Sequence, residues 1–241
     1  MTIFEFEREA LKNLKGKPLK AKLEHIATYY WIPIVSAIVV VSLIVFIAYS
    51  AAIKKETVLF GYCINAGEQL ENANSLTDGF TEHAGITEKQ EILLLPNLRT
   101  TSTASLNDTM QALTIHVAAE GVDFIASDKE TCQSMILYDY FCDLSQKLSP
   151  QLLEQLAPYL LYAERAEVFV KQDSAAEEMP PLPQLEKADL LSDPVPVALA
   201  LPAGNPLSEA YPCSEEEAVM LIMPNAPHLD MLELFICYIL E

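Results

Sequence analysis

The sequence predicts an α/β domain, its strands in a parallel or mixed sheet flanked by helices, carried behind one membrane-spanning helix. Three observations point there. From Trp31 to Ile53 the chain reads WIPIVSAIVVVSLIVFIAYSAAI, without a charged residue. Beyond it, short apolar runs alternate with stretches of helical periodicity, the order a parallel sheet requires. Glycine is scarce, at seven in 241 residues, which argues against an all-β domain rich in tight turns.

The span comes first. A bilayer core of about 30 Å takes about 20 apolar residues as a helix, and residues 28–53 supply them. Pro33 falls in the first turn, where a missing N–H costs little. Tyr29, Tyr30 and Trp31 crowd the entry and Tyr49 the exit, as rings at two water interfaces would. Arg8, Lys12, Lys15, Lys17, Lys20 and Lys22 precede the run, whereas only Lys54 and Lys55 follow closely. Basic residues beside a span stay on the cytoplasmic side. Residues 1–27 are therefore expected as a basic cytoplasmic lead, and residues 56–241 outside the plasma membrane. A cleaved signal peptide would have an apolar core of about 7–15 residues, shorter than this one, so an uncleaved anchor is expected. Its partner is the lipid bilayer.

Charge separates the two parts. Residues 1–55 hold eight of the 15 basic and four of the 34 acidic side chains, leaving seven against 30 beyond them, a net of −23. Such a domain repels phosphate backbones, which excludes nucleic acid as a partner class. Its apolar content is too high for disorder, and its length suffices for one core. The five cysteines, Cys63, Cys132, Cys142, Cys213 and Cys237, are widely spread and odd in number. That is no disulfide framework, although one bridge stays open, and no C-x-x-C spacing suggests zinc. The four histidines stand apart without a second ligand at metal spacing. No metal and no cofactor is expected.

Thr57–Ile64 is an apolar run ending at Asn65-Ala66-Gly67, a strand buried on both faces. Ser75-Leu-Thr-Asp78 opens a helix in the manner of a capping box, with Leu76 and Phe80 on one face and Gly85 beyond its end. Glu91–Leu95 is a second strand, closed by Pro96-Asn97. Leu106, Met110, Leu113 and Val117 mark a helix stopped by Gly121. Val122–Ala126 is a third strand. Ser127-Asp-Lys-Glu130 then caps a helix with Cys132, Met135, Ile136 and Phe141. Ser149-Pro150 starts another, lined by Leu152, Leu153, Leu156 and Leu160. Ala166–Val170 reads as a strand. Residues 172–194 combine prolines and acids with little periodicity, an exposed loop. Pro194–Pro202 is a strand whose prolines place it at an edge or confine its pairing to the middle. Ala218–Met223 is the last strand and Leu229–Leu240 the last helix.

In that order, Glu120-Gly-Val-Asp-Phe-Ile-Ala-Ser127 resembles the "G-x-x-D-hydrophobic" strand of bacterial extracytoplasmic solute-binding proteins. Phe141-Cys-Asp-Leu-Ser145 is similar to the turn that follows it in them. Pro224-Asn-Ala-Pro-His228 with Leu232, Phe235, Ile236 and Ile239 resembles their closing helix. Lys20-Ala-Lys-Leu-Glu-His-Ile-Ala-Thr-Tyr-Tyr30 looks like the lead of membrane-anchored relatives in Gram-positive bacteria. The resemblance covers most of residues 57–145 and 195–241 and implies a periplasmic-binding-protein-like fold. The sequence departs from the family in length: its second lobe would be little more than residues 128–195.

Serine-nucleophile signatures, phosphate-cradling glycine loops and His-Glu-x-x-His are absent from the sequence. Asp123 and Asp128 are a conceivable carboxylate pair, yet each stands where an acid serves a strand start or a helix cap. A non-catalytic protein follows. Open parallel sheets bind ligands at the C-terminal ends of their strands, which selects Asn65, Asn97, Ser127 and Asp128 as candidate ligand-binding residues. Two functions remain: a module docking on another envelope protein, or a domain binding a small solute or peptide.

Overall fold

The computed structural model describes residues 18–20, 31–96, 103–119, 121–169, 181–213 and 218–240. The chain divides into two units, residues 1–54 and 55–241. In the first, α1 (Trp31–Ile53) is a helix of 23 residues, about 34 Å long at about 1.5 Å per residue. Its described side chains are exposed. Counted over the described residues, no helix is long and apolar enough to cross a membrane. The backbone of α1 is helical from Trp31 to Ile53, and its sequence holds no charged residue.

The second unit is a six-stranded mixed sheet flanked by helices. It starts with β1 (Glu56–Cys63), α2 (Leu70–His83), β2 (Gln90–Leu95), α3 (Thr103–Ala118) and β3 (Phe124–Ser127). β1 lies between β2 and β3 and is parallel to both, as three apolar runs separated by helical periodicity require. After it come α4 (Lys129–Leu137), α5 (Leu144–Lys147), α6 (Pro150–Leu156), β4 (Leu160–Glu164) and α7 (Arg165–Val168). β5 (Pro194–Leu201), α8 (Pro206–Ala210), β6 (Ala218–Ile222) and α9 (Leu229–Leu240) complete the unit. The sheet order is β2-β1-β3-β6-β5-β4, with β3, β6, β5 and β4 successively antiparallel.

One close approach fixes the middle of the sheet. Gly61 of β1 pairs with Phe124 of β3, and a Cβ at position 61 would stand 2.2 Å from Phe124 Cζ. The missing side chain makes room for the Phe124 ring, which stacks on Phe235 of α9 with centroids 5.6 Å apart. Phe80 of α2 meets Phe235 edge-on at 5.0 Å. Phe80, Phe124 and Phe235 are almost wholly buried, and such ring pairs add stability beyond the area they bury.

Several expectations are corrected. α2 begins at Leu70 behind Gln69, not at Ser75; the apolar spacing simply extends back to Ala73. Asp128, not Ser127, caps α4, its side chain accepting from Thr131 N–H, and Phe141 lies beyond that helix. Leu160 belongs to β4, since α6 ends at Leu156. The strand expected at Ala166–Val170 is instead the short helix α7 at its described residues. β5 is neither at an edge nor paired only in its middle: Pro194 and Pro196 both lie in the ladder with β4, and its C-terminal residues Leu199–Leu201 pair with β6.

The loop expected over residues 172–194 is corrected in its described part. Leu185 is fully buried. Glu186 and Tyr162 exchange both backbone hydrogen bonds at 2.9 Å, so this segment covers the outer edge of β4. Leu185, with Pro183 buried beside it, outweighs the acids because it has a strand to dock on. Residues 172–180 lie outside the described residues. The stretch assigned to a reduced second lobe adds β4 to the same sheet, and residues 55–241 form one compact unit.

Candidate functional site

The C-terminal ends of β1 and β3 bring three of the four expected residues together. Asn65 follows β1 with φ of 58°, in the left-handed region that asparagine tolerates. Its Nδ2 donates to Thr131 Oγ1 at 2.9 Å and to Asp128 Oδ2 at 3.4 Å. Ser127 Oγ lies within hydrogen-bonding distance of the Ile64 carbonyl, at 2.8 Å, and of Asp128 Oδ2, at 3.2 Å. Asp128 accepts from Thr131 N–H and Oγ1, both at 2.8 Å. Asn97 lies outside the described residues.

The electrostatics follow from those contacts. Burial works against the Asp128 charge, but the hydrogen bonds from Thr131, Asn65 and Ser127 outweigh it and hold the carboxyl below its ordinary value. Thr131 completes the network and was missed in the sequence. The signal was its place three residues after Asp128, where a capped helix presents its first free N–H groups.

At the opposite end of β3 stands a second polar arrangement. Asp123, which has no exposed surface, accepts from Phe60 N–H at 2.8 Å on Oδ2 and from His228 N–H at 2.9 Å on Oδ1. His228 Nδ1 lies 3.0 Å from Oδ2. Asp123 also uses its own backbone, N–H to Phe60 and carbonyl from Met223 N–H. The carboxylate thus ties β1, β3 and the loop before α9 together. Asp123 and Asp128 flank β3 at its two ends and form no pair. In the sequence His228 stands alone, because a contact across 105 positions leaves no trace in local spacing.

Burial pushes the thiols of Cys63 and Cys132 well above their ordinary range, with nearby Cys213 adding to each. Cys142 is pushed up to about 12, again by burial. Protonated thiols are poor nucleophiles and poor ligands. Cys63, Cys132 and Cys142 are free thiols, and among the described residues no group of three His, Cys, Asp or Glu side chains is placed to hold a metal. His116 lies in α3 with its ring against Phe60 and Tyr62 at 5.5 and 5.8 Å.

Comparison with protein-family models, with curated proteins and with solved structures finds no match to this chain.

Proposed function

We propose that this chain is a single-pass membrane protein whose extracytoplasmic domain is a non-catalytic docking module. In this reading α1 is the span, residues 1–27 are cytoplasmic, and the domain is a solute-binding-protein-like sheet without a second lobe. The observation that supports docking over solute capture is the closed network at the strand ends. Asn65, Ser127, Asp128 and Thr131 bond to one another and to the backbone. A solute would have to break those bonds before making its own, and each exchange returns little. The Asp123 carboxylate, engaged by three donors, is likewise occupied by the fold.

A small-solute or peptide sensor is the second reading. It is favoured by the gathering of Asn65, Ser127 and Asp128 where parallel sheets bind ligands. A thermal-shift screen of the full chain in nanodiscs separates the two. Docking expects no small solute to raise the midpoint. A solute that raises it by several degrees, with the gain lost in Asp128→Asn, would establish the sensor instead. Topology is tested in intact cells by a membrane-impermeant maleimide against Leu190→Cys, an exposed position. Labelling above the unsubstituted chain before lysis supports the outside placement, and labelling only after lysis refutes it.

A further inference from the structure

The two edges of the sheet are treated differently. On β4 the segment around Glu186 pairs with Tyr162 and covers the edge. On β2 no strand or bridge among the described residues pairs with the outer side. β2 reads Gln-Glu-Ile-Leu-Leu-Leu and is half-buried along its length. It carries no lysine or proline, two of the devices that keep an edge from pairing, and the one register shift in its ladder with β1 falls on the β1 side, between Thr57 and Leu59.

The register says which backbone groups face out. Phe60 turns its N–H and carbonyl toward Asp123 on the β3 side. By alternation Leu59 and Gly61 turn theirs toward β2. Their partners are Ile92 and Leu94, and in a parallel ladder the bonds go to the residues flanking each partner. Glu91, Leu93 and Leu95 therefore face β1, while Ile92 and Leu94 present N–H and carbonyl outward. Pro96 follows at the next outward position, where a missing N–H costs no ladder bond.

The charge of the whole domain is acidic, a net of −23 over residues 56–241. At the start of β2, Glu88 and Glu91 stand on either side of Lys89. Lys89 is the one described basic residue in the segment 56–128. A second copy would bring the same acids and a net of −23 against itself. A strand bearing cations would not.

We propose that the outer edge of β2 takes up an extended segment of a partner protein, apolar residues alternating with lysine or arginine, as an added strand. Main-chain bonds to Ile92 and Leu94 give the affinity, and the acidic net charge of the domain favours a cationic partner. The proposal rests on the docking reading and gives it a place.

The test uses the full chain in zwitterionic nanodiscs and a fluorescent peptide of alternating valine and lysine, read by anisotropy. Two comparison peptides carry glutamate for lysine, or methyl groups on alternate amides. The lysine peptide is expected to bind at low salt and both comparison peptides to bind at least about tenfold more weakly, because each loses either charge or main-chain bonds. Leu94→Pro removes the outward N–H and is expected to weaken binding about tenfold, whereas Leu94→Ala, which loses the same packing, retains it. Circular dichroism of both variants checks that the fold persists. Equal binding of the methylated peptide, or no difference between Leu94→Pro and Leu94→Ala, overturns the edge while leaving the docking reading intact. Self-association of the chain that Leu94→Pro abolishes would overturn the committed partner in favour of a second copy.

Discussion

His228 Nδ1 lies 3.0 Å from Oδ2 of Asp123, a carboxylate with no exposed surface, and the two residues are 105 positions apart. With Phe60 N–H on the same oxygen and His228 N–H on the other, that carboxylate holds the loop before α9 against β1 and β3. Buried polar groups of this kind are expensive to leave without partners.

Asp123→Asn turns an acceptor into a donor facing Phe60 N–H or the histidine. It is expected to cost about 3 kcal/mol, since a buried donor loses its bond and meets another donor. For a domain of this size that is roughly 6–12 °C in thermal midpoint. His228→Ala leaves both backbone donors on the carboxylate and is expected to cost about 1 kcal/mol. Thermal unfolding of both variants checks the order. A larger loss from His228→Ala would mean that the ring, not the carboxylate, holds the loop.

Gly61 is the next sensitive position. A methyl group there meets the Phe124 ring at 2.2 Å, and overpacking a filled core costs about 1–3 kcal/mol or more. Gly67→Ala, by contrast, meets its nearest atom at 3.8 Å and is expected to be nearly neutral. Combining Gly61→Ala with Phe124→Leu should cost less than the sum of the two, because the smaller side chain vacates the space. Strict additivity in chemical denaturation would contradict the contact.

Alkaline pH should unfold the domain before its tyrosines matter. An unfolded thiol ionises near about 8.5, whereas burial keeps Cys63, Cys132 and Cys142 protonated to much higher pH. Above about pH 8.5 the unfolded chain therefore holds fewer protons than the fold, and stability falls by about 1.4 kcal/mol per pH unit for each thiol. Asp128 acts at the other end. Its lowered folded value contributes stability above the unfolded value of about 3.9 that is lost as pH falls through the folded one. Urea midpoints between pH 7 and 10 should decline more gently in Cys63→Ala. A flat profile in the unsubstituted chain would show the thiols to be hydrated.

The parallel half of the sheet was legible because β1, β2 and β3 are continuous apolar runs separated by helical spacing, and topology leaves such runs few alternatives. β4 was not. Leu160 continues the spacing of Leu152, Leu153 and Leu156, so a strand four residues beyond a helix reads as more of that helix. The antiparallel order of β6, β5 and β4 was hidden for another reason: alternation states which face is buried, not which strand lies beside it. At the strand ends Asn65, Ser127 and Asp128 were found by the rule for parallel sheets. Asp123 and His228 were seen singly, since only the fold joins them.

Residues 181–193 give the last prediction, and it reverses the loop expected from composition. Leu185 is fully buried, Glu186 pairs with β4, and Lys187 Nζ donates to the Pro158 carbonyl at 2.8 Å. Gln184 N–H reaches Glu167 at 3.0 Å, and Ser192 and Asp193 N–H reach Glu164 at 3.0 and 2.9 Å. A docked leucine is worth far more than an exposed one, because truncation removes its transfer energy and leaves a cavity. Leu185→Ala is expected to cost about 2–5 kcal/mol, whereas Leu190→Ala, at a side chain 67% exposed, should change stability by less than about 0.5 kcal/mol. Replacing residues 181–189 with a glycine–serine linker would lose the Leu185 core contact and reopen the β4 edge together. Its thermal midpoint should fall at least as far as that of Leu185→Ala. A midpoint within about 2 °C of the unsubstituted chain, less than a kcal/mol here, would restore the segment to a surface loop.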